Sequence, residues 1–478
     1  MTSKRPRRGV RSHGYFEGAA SGPRSQADWA RVSSPNPLTL AGDTRTLSQR
    51  ARWAARNDAR AAAAVEAIVS NVIGSGIKPQ PTAENARWKR TASEAFEEWA
   101  DLADFHGRLD FYGLQALIAR TVVEAGECFV RFRPRPIGEG PAVPLQLEVI
   151  DPDLCPTDLN RELGGDARIS AGVEFASDGR RVAYHFHKRR PGAGWTGTLE
   201  TVRVPAGEVR HVFRPLVPDQ IRGVSWLTPV LLRLAGLDKF DDSSLMRAKV
   251  ASLFSVFVET PEADGESNPL GDDVDDDGNL HMGPGSVVTL GAGETIKVAD
   301  PPDFGDSYAD FTTAQLRAIA AGLGLPYEVL SGDLSKVNFS SLRAALVEFR
   351  RRVTGWQFHT FVNDLCAPVW RRWVEYGVAS GALPTPAGFR RRPALYTRCK
   401  WLPEGWSWLD PQKDAAAKVA MLGAGLISRD ELISELGEDA EKVDQEIAAA
   451  QARADRLGLK FSFDARAPET ESEREGEE

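Results

Sequence analysis

Apolar residues recur every three or four positions through Leu47, Ala51 and Ala54, then through Ala62, Val65, Val69 and Val72. This spacing gathers them on one face of a helix, which Gly74, Gly76 and Pro79 then stop. The same period predicts helices over 92–103, with Phe96 and Trp99, and over 111–125, with Leu114, Leu117, Ile118 and Val122. Beyond 125 the period drops to two. Segments 128–133, 145–149, 181–187 and 208–213 alternate apolar with polar residues and are separated by turn formers, which predicts strands.

Helical spacing returns with Leu227, Leu231, Leu234 and Leu237, so a helix is expected from about Ser225, running with a break towards Val258. Two short alternating runs, 285–290 and 294–299, read as a hairpin, followed by a helix over 307–322. The longest periodic run is Leu342, Leu346, Phe349, Val353 and Trp356; it continues to Trp373 with Pro368 as the expected kink. After an aromatic loop carrying Trp401, Trp406 and Trp408, two helices are expected near 411–424 and 429–454. The fold class is therefore α+β, in a chain of 478 residues with no evident internal repeat.

Composition adds mainly a location for charge. The chain carries a net −8, but residues 259–278 hold nine acids (Glu259, Glu262, Asp264, Glu266, Asp272, Asp273, Asp275, Asp276 and Asp277) and no Lys or Arg, which leaves the rest near +1. The segment from Thr470 to Glu478 is acidic again, and a tail over 461–478 has too few apolar residues to build a core. Residues 1–42, rich in Arg, Ser, Gly and Pro, read as a basic disordered arm without the apolar stretch of a secretory signal. Asp238, Lys239, Asp241, Asp242 and Arg247 interrupt the longest candidate membrane span, so no membrane is expected as a partner. Cys128, Cys155, Cys366 and Cys399 lack CxxC spacing and read as reduced thiols in a cytosolic compartment.

Candidate chemistry is sparse. Asp273, Asp275, Asp277 and Gly278 match part of a calcium loop, but Pro284 stands where the bidentate Glu belongs, so a solvated acidic loop is the better reading. His185 and His187 fall on one strand face, about 7 Å apart at a rise of about 3.3 Å per residue, with no third ligand tied to them by spacing. Ser75 and Lys78 form an isolated SxxK without its companion motifs, and Gly322 and Gly324 open a GxG that ends a helix instead of starting one. There is no phosphate-binding GxxxxGK[ST]. Arg350–Arg352, Arg371–Arg372 and Arg390–Arg392 could each touch phosphates, although such runs are more often solvated faces. No catalytic residue, cofactor or metal site is expected.

Several segments together resemble the lambda-type bacteriophage portal proteins. They are RWAARNDA (52–59) leading into IVSNVIGSGIKP (68–79), DFHGRLDFYGLQ (104–115) with VEAGECFVR (123–131), and HVFRPL (211–216) before QIRGVSWLTPV (220–230). IAAGLGLPYEVLSGDLSKVNFSSLR (319–343) and EFRRRV (348–353) complete the series, which with its flanks runs from about residue 45 to 455.

The resemblance implies a portal fold: long stem helices, an α/β wing, a small β-containing clip and a helical C-terminal region. On this chain that places the wing at 43–224, the first stem helix at 225–255, the clip with its acidic loop (Asp272, Asp273, Asp275, Asp276, Asp277) at 256–303 and the second stem helix at 304–330. The tunnel loop falls at 331–341, with Ser331, Gly332, Asp333, Ser335, Lys336, Asn338, Ser340 and Ser341 facing DNA, and wing or crown helices at 342–460. The implied protein is a homo-oligomeric ring, usually of twelve subunits, at one vertex of the virion capsid, assembled in the host cytoplasm. Implied partners are double-stranded DNA bound without sequence preference, a terminase large subunit that supplies ATP hydrolysis, capsid and scaffold proteins, and a head–tail adaptor. Two other classes remain open from the residues alone: a phage or mobile-element DNA-processing enzyme using the acidic loop, and a scaffold or adaptor that forms no ring.

Overall fold

The computed structural model describes residues 37–189, 200–253, 256–259, 295–298, 305–335, 337–406 and 410–459. Helices α1 (Pro37–Asn57) and α2 (Ala59–Val72) replace the single helix expected from the periodicity. Asp58 divides them: its backbone is extended, and its carboxylate accepts hydrogen bonds from the N–H groups of Arg60 and Ala61, so it caps α2. Helix α1 starts at Pro37 and Ala41 is buried, which corrects the disordered arm at its end; residues 1–36 of that arm lie outside the described residues.

Strand β1 (Lys78–Pro81) precedes α3 (Ala86–Ala100) and α4 (Phe111–Ala125). Strands β2 (Glu127–Pro134) and β3 (Leu145–Ile150) follow, then a meander of β4 (Arg161–Gly164), β5 (Ala167–Ser170), β6 (Val173–Phe175), β7 (Arg181–His187) and β8 (Thr201–Pro205), and finally β9 (Val209–Phe213). The four strands expected from period two are β2, β3, β7 and β9. They do not form one sheet: β3-β2-β9 make an antiparallel sheet of three, whereas β7 joins the meander β4-β5-β6-β7-β8.

Helix α5 (Leu231–Leu253) begins six residues later than expected, after a 3-10 turn at Thr228–Val230. Strand β10 (Val256–Glu259) pairs antiparallel with β11 (Thr295–Val298), so the described partner of the 294–299 run is not 285–290, which lies outside the described residues. Helix α6 (Gly305–Leu323) stops before Pro326, which cannot donate a helical hydrogen bond and opens the short α7 (Tyr327–Ser331). The second expected stem helix, 304–330, is thus two pieces.

Helix α8 (Phe339–Trp356) passes through a π-helical segment (Gln357–Cys366) into α9 (Ala367–Ser380). Pro368 sits in the first turn of α9, and the irregularity precedes it: the Ala367 N–H bonds the Val362 carbonyl, five residues back. The chain closes with α10 (Ala394–Thr397), β12 (Cys399–Leu402), which pairs with β1, and α11 (Pro411–Gly423), α12 (Arg429–Glu435) and α13 (Ala440–Leu457). Gly437 and its neighbours split the last expected helix into α12 and α13.

The larger core gathers α2, α3, α4, one face of β2, and the α8–α9 region. At its centre Phe96, Trp99, Phe111, Trp370 and Trp373 meet at centroid distances of 5.1–6.2 Å, and the Trp99 Nε1–H donates to the Leu145 carbonyl at 2.7 Å. A smaller core lies on the other face of β2, where Phe129 packs on Tyr184 and Phe186. The four cysteines are free, three of them buried. No helix among the described residues is long and apolar enough to cross a membrane.

Candidate functional site

Two helices, α5 and α6, run side by side and join the rest of the molecule at two junctions. The first junction is the turn 220–230. Arg222 is 1% exposed, and its Nε donates to Glu127 Oε1 at 2.7 Å while Nη1 donates to the carbonyls of Cys155 and Ala171 at 3.0 and 2.9 Å. The other Glu127 oxygen accepts from the Gly223 N–H at 2.6 Å and from His211 Nε2 at 2.9 Å. Arg181 Nη1 lies 3.1 Å from His211 Nδ1, and an arginine can only donate, which assigns His211 as the neutral tautomer protonated on Nε2.

Burial alone would raise the Glu127 carboxyl, yet Arg222 and His211 hold it down to about 2; burial pushes the His211 imidazole down to about 4. The fully buried charges, Glu127 and Arg222, match each other, as an interior requires.

Two glycines let the backbones cross here. A Cβ on Gly223 would lie 2.2 Å from the Gly126 carbonyl oxygen, and Gly126 itself has φ +95 against the Val224 backbone. The turn is then tied to α4, with the Trp226 N–H on the Val123 carbonyl at 3.0 Å. Leu227, Val230, Leu231, Leu234 and Leu237 drive the base of α5 into the larger core. The sequence signal for this junction was the QIRG string; its geometry was not legible, because Gly126 and Glu127 lie far in the chain from Arg222 and Gly223.

Along the paired helices, Phe240 packs on Tyr308 and Phe311 at 5.7 and 4.8 Å, and Arg233 donates to Gln315 at 2.5 Å. Asp241 accepts from Tyr308 Oη at 3.0 Å and from Arg60 Nη1 at 2.7 Å, which fastens the pair to α2.

The second junction joins α7 to α8 and is built from its own hydrogen bonds. Gly332 adopts φ +68 and caps α7 through its N–H to the Glu328 carbonyl; Asp333 Oδ1 accepts from the N–H and hydroxyl of Ser335 at 3.0 and 2.6 Å. Asn338 caps α8 by accepting from the Ser340 N–H at 3.0 Å. The connection is therefore 332–338; Ser331 closes α7, and Ser340 and Ser341 belong to the first turn of α8, which corrects the expected loop at both ends. Leu334 is 63% exposed, and nothing stands within 4 Å of a Cβ on Gly332. Lys336 lies outside the described residues, as do Asp272, Asp273, Asp275, Asp276 and Asp277.

The other candidates disperse. His185 is hydrogen-bonded to Glu174 at 3.0 Å and does not share a ligand with His187. Among the described residues no cluster of three or more His, Cys, Asp or Glu could hold a metal ion. Lys78 is taken up in β1, and the Ser75 N–H bonds Glu404 at 2.8 Å. Arg350 stacks on Trp406 at 5.1 Å and Arg352 lies against Gly324, while Arg390–Arg392 are exposed.

A family model described as "Phage portal protein, lambda family" matches residues 22–357. A "Probable portal protein" of Halomonas phage phiHAP-1 is 30% identical over 435 residues, covering 87% of this chain and 82% of that protein. "Portal protein B" of Escherichia phage lambda is 24% identical over 318 residues, covering 60% of this chain and 58% of that protein. Among solved structures, a chain of the "Neck of native GTA particle computed with C12 symmetry" superposes with a TM-score of 0.50 at 15% identity, covering 83% of this chain and 93% of that one, a likeness of fold.

Proposed function

Since this chain belongs to the lambda family of phage portal proteins, we propose that its copies close into a ring at one capsid vertex of the virion and form the conduit through which DNA is packaged and ejected. The observation that carries the reading is the pair α5–α6, locked to the sheets by the Glu127–Arg222–Gly223 junction and continued through α7 into the exposed connection 332–338. In this assignment α5 and α6 are the stem, residues 43–224 the wing, 256–303 the clip, and 342–460 the remaining wing and crown. The segment 332–338 is the tunnel loop that touches passing DNA.

A ring of identical subunits needs two different complementary faces on each copy. Twelve copies is the number we adopt, in keeping with the C12 symmetry named for the similar neck structure. The clip with its acidic loop would dock the terminase large subunit during packaging and the head–tail adaptor afterwards, while the wing faces capsid and scaffold proteins. The chain performs no catalysis in this scheme; ATP hydrolysis belongs to the terminase. DNA contacts in the channel must be weak and independent of sequence, because strong phosphate neutralisation would hold a duplex that has to move.

Electron microscopy of the purified protein, run beside ATPase and nuclease assays, tests the reading. Rings with a central hole and no activity are expected. A monomer that cleaves DNA with magnesium would make it a DNA-processing enzyme, and an assembly without a bore would make it a scaffold or adaptor.

A further inference from the structure

Where β9, α9 and the α10–β12 corner converge, arginines outnumber carboxylates. Arg371 and Arg398 line a cleft of about 300 Å³ together with Thr82, Thr397 and Trp370. Among the described residues neither arginine has a carboxylate within ion-pair distance. Arg371 spends only its Nε–H, on the Ala367 carbonyl at 3.3 Å. Trp370 is 1% exposed, and its indole Nε1–H has no hydrogen-bond partner. Beside them Arg210 is half-buried with an unpartnered Nε–H, and after burial the repulsion of Arg371 and Arg372 is what lowers its pKa. The exposed turn of Arg390–Arg392 is held next to this corner by Phe389, whose ring lies 5.9 Å from Tyr396 of α10. The Trp370 and Arg210 donors are sealed from solvent, so it is Arg371 and Arg398, two exposed cations on one cleft with no carboxylate in ion-pair distance among the described residues, that favour an anion there.

We propose that this arginine-rimmed cleft is the docking site for the chain's own acidic C-terminal segment, Thr470–Glu478, which offers five glutamates against one arginine. The segment can reach it. Helix α13 starts beside the cleft's neighbourhood: Glu441 and Lys442 in its first turn pair with Lys89 and Glu97 of α3, and Trp88, adjacent in α3, meets Tyr396 edge-on at 5.6 Å. The 18 residues of α13 carry the chain about 27 Å away. The 19 residues from 460 to 478 can span up to about 60 Å, more than enough to return.

The acidic run 259–278 is the poorer occupant within the same chain, since it lies beyond the 23-residue α5, about 35 Å long. Duplex DNA is poorer too. It is a rigid rod that presents phosphates to open surfaces, whereas a carboxylate on a flexible chain can enter a cleft floored by an indole. A tail held here would also shield the arginines from DNA.

Arginine footprinting with phenylglyoxal, read by mass spectrometry on the full-length assembly, tests this. In a full-length variant carrying Glu→Gln at Glu471, Glu473, Glu475, Glu477 and Glu478, Arg371 and Arg398 should react about threefold faster, as loss of a tethered ligand at millimolar effective concentration implies. Exposed Arg161 should be unchanged. With the native tail, Arg398→Gln should by itself speed modification of Arg371, and should add nothing once the tail is neutralised. Equal rates for Arg371 in the two tails would overturn the proposal. So would a short DNA duplex that protects Arg371 and Arg398 equally with either tail, which would make the cleft a DNA site.

Discussion

Where α5 leaves the sheets, Glu127, Arg222, His211 and two glycines lock the turn from inside; where α7 gives way to α8, the hydrogen bonds among the described residues are local ones at Gly332, Asp333, Ser335 and Asn338, all exposed. The first junction is fixed by partners distant in sequence; the hydrogen bonds described at the second join neighbours two to six residues apart. A conduit needs both kinds. In the assignment proposed above, the stem must keep its angle while DNA pushes through, and the connection placed against DNA must yield without unfolding anything behind it.

The sharpest way to break this contrast is Arg222→Ala. Removing one partner of a buried pair strands the Glu127 carboxylate and should cost about 3–5 kcal/mol, seen as a lower urea midpoint. Next come matched glycines. Gly223→Ala must displace the Gly126 backbone and should cost at least ~3 kcal/mol, whereas Gly332→Ala meets open space and should cost only about 1–2 kcal/mol for its left-handed backbone. Comparable losses for the two would refute the distinction between the junctions.

Acid should attack the first junction. The Glu127 pKa falls from an ordinary 4.5 to about 2 on folding, so its stabilisation is complete above pH 4.5 and disappears as pH drops towards 2. The His211 pKa falls from 6.5 to about 4, so the unfolded chain binds the extra proton and stability is lost as pH drops from 6.5 to 4. Both run the same way, and His211→Gln should flatten the unfolding free energy between pH 6.5 and 4. An unchanged slope in that variant would remove His211 from the account.

The smallest effect on stability is expected at the second junction. Lys336→Glu should leave ring assembly and the urea midpoint within about 0.5 kcal/mol of the wild type, as exposed substitutions do, while impairing DNA packaging or retention. Packaged DNA of normal length and yield would exclude Lys336 from that role. Deleting 261–278 should likewise spare the rings and weaken terminase binding; intact binding would take the acidic loop out of the docking surface.

What the sequence made legible follows the same division. Helix α4 matched its expected bounds, since Asp110 caps it, Gly126 ends it and its apolar face is periodic. Leu227, Leu231, Leu234 and Leu237 at the base of α5 were readable for the same reason, and so was a Gly- and Ser-rich connection before α8, because its bonds are local. The break at Asp58 hid behind continuous apolar spacing on either side. The pairing of β10 with β11 and the union of Glu127, Arg222 and Gly223 were not readable, because each joins residues from 36 to 96 positions apart and period carries no register between them. Strands β4, β5, β6 and β8 are three to five residues long, too short for an alternation to stand out.

Photo-crosslinking tests the central claim most directly. A photoreactive side chain placed at Leu334, exposed at the tip of the second junction, should crosslink to DNA in packaged particles, whereas the same group at Val419 on α11 should not. DNA crosslinked from 419 and none from 334 would contradict the assignment of 332–338 to the channel.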